Sequence, residues 1–365
     1  MEDKKNNNTE HKERNDLLDI IKGVAIVLML YGHCIQYGSG QLFYNNQLFF
    51  DNIVFKYIYG FHMPLLALVS GYLFYYSNKK KWLSILKNKA NKLLLPIFSW
   101  SIIWFIIISL FLDRAINFSL IFFVNFFLNY FWFLWSILFS SIIIVIIKTI
   151  FKDNIIIYLI TIILMFIVKD VYHFNYNNTS LIYIDLALFK YTYIYFLSAY
   201  IFQKYKEINI TNIINNRILI YALILCTILY VKFISFWNIN AYIYVSGLTL
   251  IGKVNPVKQF IIDIFRYITG YLGSVSCILI VYFLYNHLKM SKIFKILSYI
   301  GRKTLSIYVI SSCMFYYIVL KYTKNYSYNT FNLIIICVII LVVSLIINWI
   351  IEKFKITKKV FFGNR

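Results

Sequence analysis

The chain has 365 residues, 61% of them hydrophobic, 20% aromatic and only 14% charged. Long apolar runs at that density exclude an ordinary soluble fold and predict an all-α, polytopic membrane bundle. The net charge of +22 does not mark a nucleic-acid binder, because the Lys and Arg residues sit in short loops between apolar runs, where orientation and anionic lipid account for them.

Residues 1–16 read as a polar cytoplasmic tail. They have no apolar core and no small-residue cleavage site, so no removable signal peptide is expected and the first span serves as the targeting signal. About ten spans follow, near 17–37, 52–76, 93–112, 130–148, 154–169, 181–203, 216–236, 259–286, 303–320 and 330–351. Two stretches stay open. Residues 115–129 read as an interfacial helix or as part of a longer fourth span. Residues 238–251 read as a re-entrant or interfacial piece. The whole of 17–352 forms one transmembrane domain, and 353–365 a basic cytoplasmic tail.

Loop charges test this layout. Of 36 Lys and Arg residues, seven fall in outer loops (Arg114, Lys169, Lys232, Lys253, Lys258, Lys321, Lys324). Four lie within spans (Lys22, Lys56, Lys190, Arg266), and the remaining 25 fall on the inner side. That split follows the positive-inside rule for an even number of spans with both termini cytoplasmic. The five cysteines all sit in apolar runs without CxxC spacing, so they read as buried small residues and no metal site is expected. The extramembrane loops are short, and chemistry must occur within the bundle or at its faces.

Five constellations carry polar groups. Asp19, Lys22 and His33 share one stripe of the first span, with Lys22 and His33 eleven residues and about 16 Å apart along the axis. Ionisable groups in hydrocarbon usually face a pathway or a site. His33 is suited to take a proton from a hydroxyl or to accept an acyl group, and Lys22 to meet a phosphate. The plain alternative is a packed histidine and a snorkelling lysine. Next comes Phe61-His62-Met63-Pro64, where Pro64 should kink span two beside His62. Ser70-Gly71 after it would admit another helix closely. Third is a lysine run (Lys79, Lys80, Lys81, Lys87, Lys89, Lys92), a topogenic loop or a polyanion well. Within it Lys89 and Lys92 stand at the mouth of span three. Fourth is an aromatic run around Trp132, an interfacial belt or a sugar-stacking face. Last, Asp263 and Arg266 in span eight read as a pair that neutralises itself.

Taken in order, several of these pieces resemble the membrane acyltransferase-3 family, which includes bacterial sugar O-acetyltransferases. The matching pieces are Leu18-Asp19-Ile20-Ile21-Lys22-Gly23-Val24-Ala25 through Gly32-His33, then Phe61-His62-Met63-Pro64 with Ser70-Gly71-Tyr72. Lys89 and Lys92 before Leu93-Leu94-Leu95-Pro96, Trp132-Phe133-Leu134, and Ile300-Gly301-Arg302-Lys303-Thr304-Leu305-Ser306-Ile307-Tyr308 follow. Lys stands where the family usually has Arg in the first motif, and a histidine often found near position 311 is replaced by Ser311. The resemblance implies transfer of acetyl from acetyl-CoA to a hydroxyl of a cell-surface glycan or its lipid-linked precursor, in a bacterial cytoplasmic membrane. It implies His33, Lys22 and Asp19 as the catalytic group and Lys22, Lys89 and Lys92 as the donor's diphosphate site. His62, Ser70, Trp132, Asp263 and Arg266 remain substrate-binding or structural. The rival reading is a transporter or flippase of lipid-linked sugars, using the same stripe as a passage. No repeated pair of broken helices supports it. A glycosyltransferase is a weaker rival, since no Asp-x-Asp motif occurs.

Overall fold

A computed structural model describes residues 15–38, 47–77, 81–111, 120–176, 180–206, 217–288, 291–315, 319 and 330–363. Most of the polar tail, Lys79, Lys80 and Arg114 lie outside the described residues. Among the described residues, six helical stretches are long and apolar enough to cross a membrane. Leu120–Asn129, Ile155–Ile167 and Leu219–Ser235 are shorter apolar helices.

The first helix, α1 (Asp16–Gly38), is the axis of the bundle. Two thirds of its most apolar window (67%) is buried, against 22% for the last long helix, α16 (Thr330–Glu352). Ile20, Ile21, Ala25, Ile26, Met29, Leu30, Cys34 and Ile35 are almost fully enclosed. Around α1 pack α3 (Ile53–Tyr59), α4 (His62–Ser77), α13 (Pro256–Leu288), α14 (Lys292–Arg302), α15 (Thr304–Met314) and α16. The short α2 (Gln47–Asp51) packs on α3. The periphery is apolar and exposed, as a lipid-facing surface must be. Examples are Ile156, Leu159 and Ile163 on α9 (Ile155–Ile167) and Ile224, Leu225 and Ile228 on α11 (Arg217–Ser235).

Two backbone crossings need glycine. A Cβ on Gly23 of α1 would overlap the Leu297 carbonyl of α14, and a Cβ on Gly301 would overlap the Asp19 carbonyl. The two helices therefore touch backbone to backbone. Gly71 of α4 meets the Phe196 backbone of α10 (Ala187–Lys206) in the same way, the close approach expected at Ser70-Gly71. Small residues at such crossings are the usual device for membrane helices.

Span two differs from expectation in one respect. The chain breaks at Gly60-Phe61, between α3 and α4, so Pro64 does not kink a continuous helix. Pro64 lies in the first turn of α4, where a missing N–H costs little. A second irregularity precedes Pro96. The chain runs from α5 (Trp82–Lys89) through a π turn at Ala90–Leu94 into α6 (Leu95–Phe111). Pro96 has no N–H to donate, and the widened turn absorbs that gap.

Span six also starts later than predicted. Residues 181–185 belong to a strand, not a helix: β1 (Val171–Tyr176) pairs antiparallel with β2 (Ser180–Asp185) before α10 begins. Large residues are exposed on both faces of the ribbon, Tyr172 and Phe174 on one and Leu181 and Tyr183 on the other, which suits a hairpin better than a buried helix. The free edge of β2 is met by α7 (Leu120–Asn129), a helix separate from α8 (Trp132–Ile150). Asn125 accepts from the Tyr183 N–H (3.0 Å) and donates to the Leu181 carbonyl (3.2 Å). Asn129 repeats this with the Asp185 N–H (3.0 Å) and the Tyr183 carbonyl (2.9 Å). Two amides one helical turn apart thus stand in for a third strand.

Gly301→Ala should destabilise the protein by about 1–3 kcal/mol through overpacking against α1. Thermal unfolding in detergent should show a lowered midpoint, and an unchanged midpoint would show that the crossing can relax.

Candidate functional site

Among the described residues, one cavity lies at each end of α1. The first, about 370 Å³, is lined by His33, Gln36, Tyr59, His62, Trp132, Tyr242, Arg266 and Tyr308, among others. The second, about 710 Å³, is lined by Lys22, Ser70, Lys89, Lys92, Arg302, Lys303, Lys358, Glu352 and again Tyr308. The predicted residues thus sort into two groups rather than one. Lys22, Ser70, Lys89 and Lys92 meet in the larger cavity; His33, His62, Trp132 and Arg266 meet in the smaller one. Asp19 and Asp263 line neither, and each instead holds a cation that does.

In the smaller cavity His33 is half-buried, and its Nδ1 lies 2.7 Å from the Tyr59 hydroxyl and 3.4 Å from Gln36 Oε1. The Tyr59 hydroxyl donates to the same Gln36 oxygen (2.6 Å), and Gln36 Nε2 donates to the Tyr242 hydroxyl (3.3 Å). Because Tyr59 spends its proton on Gln36, it can only accept from Nδ1. The network therefore assigns the imidazole proton to Nδ1 and leaves Nε2 as the basic nitrogen. Nε2 has no hydrogen-bond partner among the described residues, and the ring lines the cavity. His62 is buried differently. Its Nδ1 faces the Ile58 carbonyl at 2.9 Å, across the break between α3 and α4, and its ring meets Tyr59 edge-on.

Asp263 and Arg266 do more than neutralise each other. Both are buried, with Arg266 Nη1 2.7 Å from Asp263 Oδ1. The guanidinium also donates to the carbonyls of Ala241 (2.9 Å), Asn240 (2.9 Å) and Gly247 (2.5 Å), and to the Ser246 hydroxyl. It pins the 3₁₀ turn Ile239–Ala241 and the one-turn helix α12 (Ile243–Ser246) over the cavity as a roof. This settles residues 238–251 as a folded cap on the bundle end. Tyr242, Gln36's partner, hangs from that roof.

A second buried cation anchors the roof's far side. Lys190 of α10, counted from sequence only as a charge within a span, donates to the Val168 carbonyl (2.8 Å) and Thr249 hydroxyl (2.8 Å) and pairs with Asp170 (2.5 Å). Asp170 also accepts from the N–H groups of Leu248 and Thr249, both at 3.1 Å. Burial raises the Asp170 carboxyl's pKa, but the Lys190 ammonium and Thr249 outweigh it, leaving the carboxyl below its ordinary range.

In the larger cavity Lys22 is held from behind by Asp19 at 2.6 Å, one turn away on α1. Lys89 rests over the Phe74 ring, 4.7 Å from its centre, and Lys92 sits within the π turn. Lys303 pairs with Glu352 of α16. Arg302 and Lys303 were legible only as part of a motif, with no role attached. Lys358 belongs to a stretch read as tail. Gln36 could have been found from sequence, since it lies one turn beyond His33 on the same face. Tyr59, Tyr242 and Tyr308 carried no distinguishing signal in a chain with 33 tyrosines.

A family model described as an acyltransferase domain matches residues 15–353. The chain belongs to the membrane acyltransferase-3 family. Its similarity to individual curated proteins is more local. It is 36% identical over 88 residues to the nodulation protein NolL of Mesorhizobium japonicum. The figure for NolL of Sinorhizobium fredii is 33%, also over 88 residues. Each match covers 24% of this chain and 23% of the relative, so the chain spans about a quarter of the length of these relatives. No solved structure matches the chain. Among the described residues, no group of three His, Cys, Asp or Glu side chains is placed to hold a metal ion.

Arg266→Gln should cost about 3–5 kcal/mol, because it leaves Asp263 buried without its partner. Thermal unfolding of the detergent-solubilised protein measures it. An Asp263→Asn/Arg266→Gln double variant should remain destabilised, since the roof carbonyls still lose their donor. Recovery to the parent midpoint would reduce the pair to self-neutralisation.

Proposed function

We propose that the chain is an integral membrane O-acyltransferase that moves acetyl from acetyl-CoA to a hydroxyl of a cell-surface polysaccharide or its lipid-linked precursor. The observation that carries this reading is the division of polar groups between two cavities that share Tyr308. A cation-rich chamber suits the phosphates of the donor. A chamber walled by histidine, tyrosine and tryptophan suits a sugar hydroxyl, with Trp132 as a stacking face.

The proposed layout has ten spans in a bacterial cytoplasmic membrane, with both termini in the cytoplasm. They are α1, α3 with α4, α5 with α6, α8, α9, α10, α11, α13, α15 and α16. The positive-inside charge distribution supports it. It puts the Lys22 cavity at the cytoplasmic face, where acetyl-CoA is made available, and the His33 cavity toward the outside, where the glycan lies. Lys22 and His33 mark the two ends of the donor's path, about 16 Å apart on one helix.

In this scheme the donor's phosphates dock on Lys22, Lys89 and Lys92, and Asp19 holds Lys22 in place. The acetyl thioester reaches past Tyr308 toward His33. Nε2 of His33 takes the proton of the acceptor hydroxyl as its oxygen attacks the thioester carbonyl. The C–S bond then breaks, and the imidazolium returns the proton to the departing thiolate. A relay through acyl-His33 uses the same nitrogen and differs in forming an acyl-enzyme between two transfers. Tyr59 acts through His33, by keeping the proton on Nδ1.

His33→Ala should abolish alkali-labile O-acetyl esters on the extracellular glycans of the host strain, a loss of at least ~100-fold. Mass spectrometry before and after mild alkali reads this, with the protein confirmed in the membrane by immunoblot. Undiminished acetylation sinks the proposal, and altered glycan amount with unchanged acetylation turns it toward transport of lipid-linked sugars. Tyr59→Phe should lower kcat about tenfold, the equivalent of one hydrogen bond of ~1.4 kcal/mol. KM for acetyl-CoA should not move. A change confined to KM would place Tyr59 in substrate binding.

A further inference from the structure

The C-terminal helix α17 (Lys355–Phe362) lies beyond residue 353, where the family match ends. It does not trail away from the bundle. The Ser99 hydroxyl of α6 donates to the Val360 carbonyl (2.8 Å), and Trp100 Nε1 donates to the Phe361 carbonyl (3.0 Å). These bonds satisfy carbonyls that a helix C-terminus leaves open. The rings of Phe361 and Phe362 lie 5.7 and 6.3 Å from Trp100, and Phe362 is buried. The helix ends at Gly363 with a left-handed φ of 69°. A Cβ there would press on the Asn91 carbonyl and the Lys92 backbone. The helix is therefore locked at its end against the π turn that carries Lys92.

This docking sorts the helix's lysines. Lys355 and Lys359 are exposed, whereas Lys358 is half-buried and lines the larger cavity. That cavity is lined by six cations (Lys22, Lys89, Lys92, Arg302, Lys303, Lys358) against one carboxylate, Glu352. Glu352 is engaged by Lys303, and Asp19, behind the lining, by Lys22, so the two carboxylates leave the cations in excess. Such an excess of positive charge in a partly enclosed chamber calls for a ligand bearing several negative charges.

We propose that α17 is a wall of the donor site and that Lys358 binds the phosphates of coenzyme A. This rests on the reading of the larger cavity as the acetyl-CoA site. It adds a donor-binding residue from outside the family's matched region. An anionic lipid headgroup presents the same phosphate chemistry, and the test separates the two.

The experiment measures coenzyme A binding to the full-length protein in nanodiscs, made either of phosphatidylcholine alone or with added phosphatidylglycerol. Lys358→Gln should weaken binding about tenfold in both, the scale of one charge-assisted contact. Lys358→Arg should recover most of it. Lys359→Gln, which removes the same charge from the exposed face of the same helix, should stay within about twofold of the parent. Equal losses in the Lys358 and Lys359 variants, or no loss in either, overturn the assignment. A defect seen only with phosphatidylglycerol overturns it in favour of a lipid contact. A parent protein that binds no coenzyme A overturns the donor-site reading and this inference together.

Discussion

A polar group in hydrocarbon must find its partner inside the protein. The bundle is organised around one helix that carries an unusual number of them. On α1, Asp19 and Lys22 satisfy each other at one end, and His33 and Gln36 join a tyrosine network at the other. Between them runs an apolar stretch from Gly23 to Leu30. The surrounding helices close on that stretch so tightly that α14 touches α1 backbone to backbone at Gly23 and Gly301. The crossing fixes how α14 leads into α15, and hence where Arg302, Lys303 and Tyr308 stand. A packing constraint near the start of α1 thus bears on the geometry of both chambers.

The two chambers differ in chemistry because they need opposite things. One concentrates positive charge and keeps it accessible. The other holds the His33 imidazole oriented by Tyr59 and Gln36 and surrounded by hydroxyls. Separating them along one helix prevents the lysines from disturbing the histidine's proton. Tyr308 lines both chambers and, on the function proposed above, is where donor and acceptor meet.

The roof over the His33 chamber depends on buried cations. It has little regular structure, and its backbone polar groups would be unsatisfied at the end of a membrane bundle. Arg266 and Lys190 rescue it by donating to a cluster of carbonyls and hydroxyls, each neutralised by its own aspartate. Buried ion pairs rarely add stability by themselves. Here they tie an irregular segment to rigid helices, which is how Tyr242 comes to be held against Gln36.

Composition and hydropathy were enough to establish a helical membrane protein. Motif order was enough to indicate its family, because those signals are local and repeat along the chain. The polar stripe of Asp19, Lys22 and His33 was also legible, since helical periodicity alone puts them on one face. Sequence went astray where backbone and tertiary contacts compete. Residues 181–185 are as apolar as a helix start, yet pair as a strand because β1 and two asparagines of α7 supply partners. Pro64 marks a helix start rather than a kink because the break falls at Gly60-Phe61. What only the tertiary structure decided is assembly across long separations. It brings Lys22, Lys92, Arg302 and Lys358 into one chamber, assigns the His33 proton through Tyr59 and Gln36, and turns Arg266 from half of a pair into the pin of a roof. No spacing rule encodes these contacts, since each depends on where helices distant in sequence come to cross.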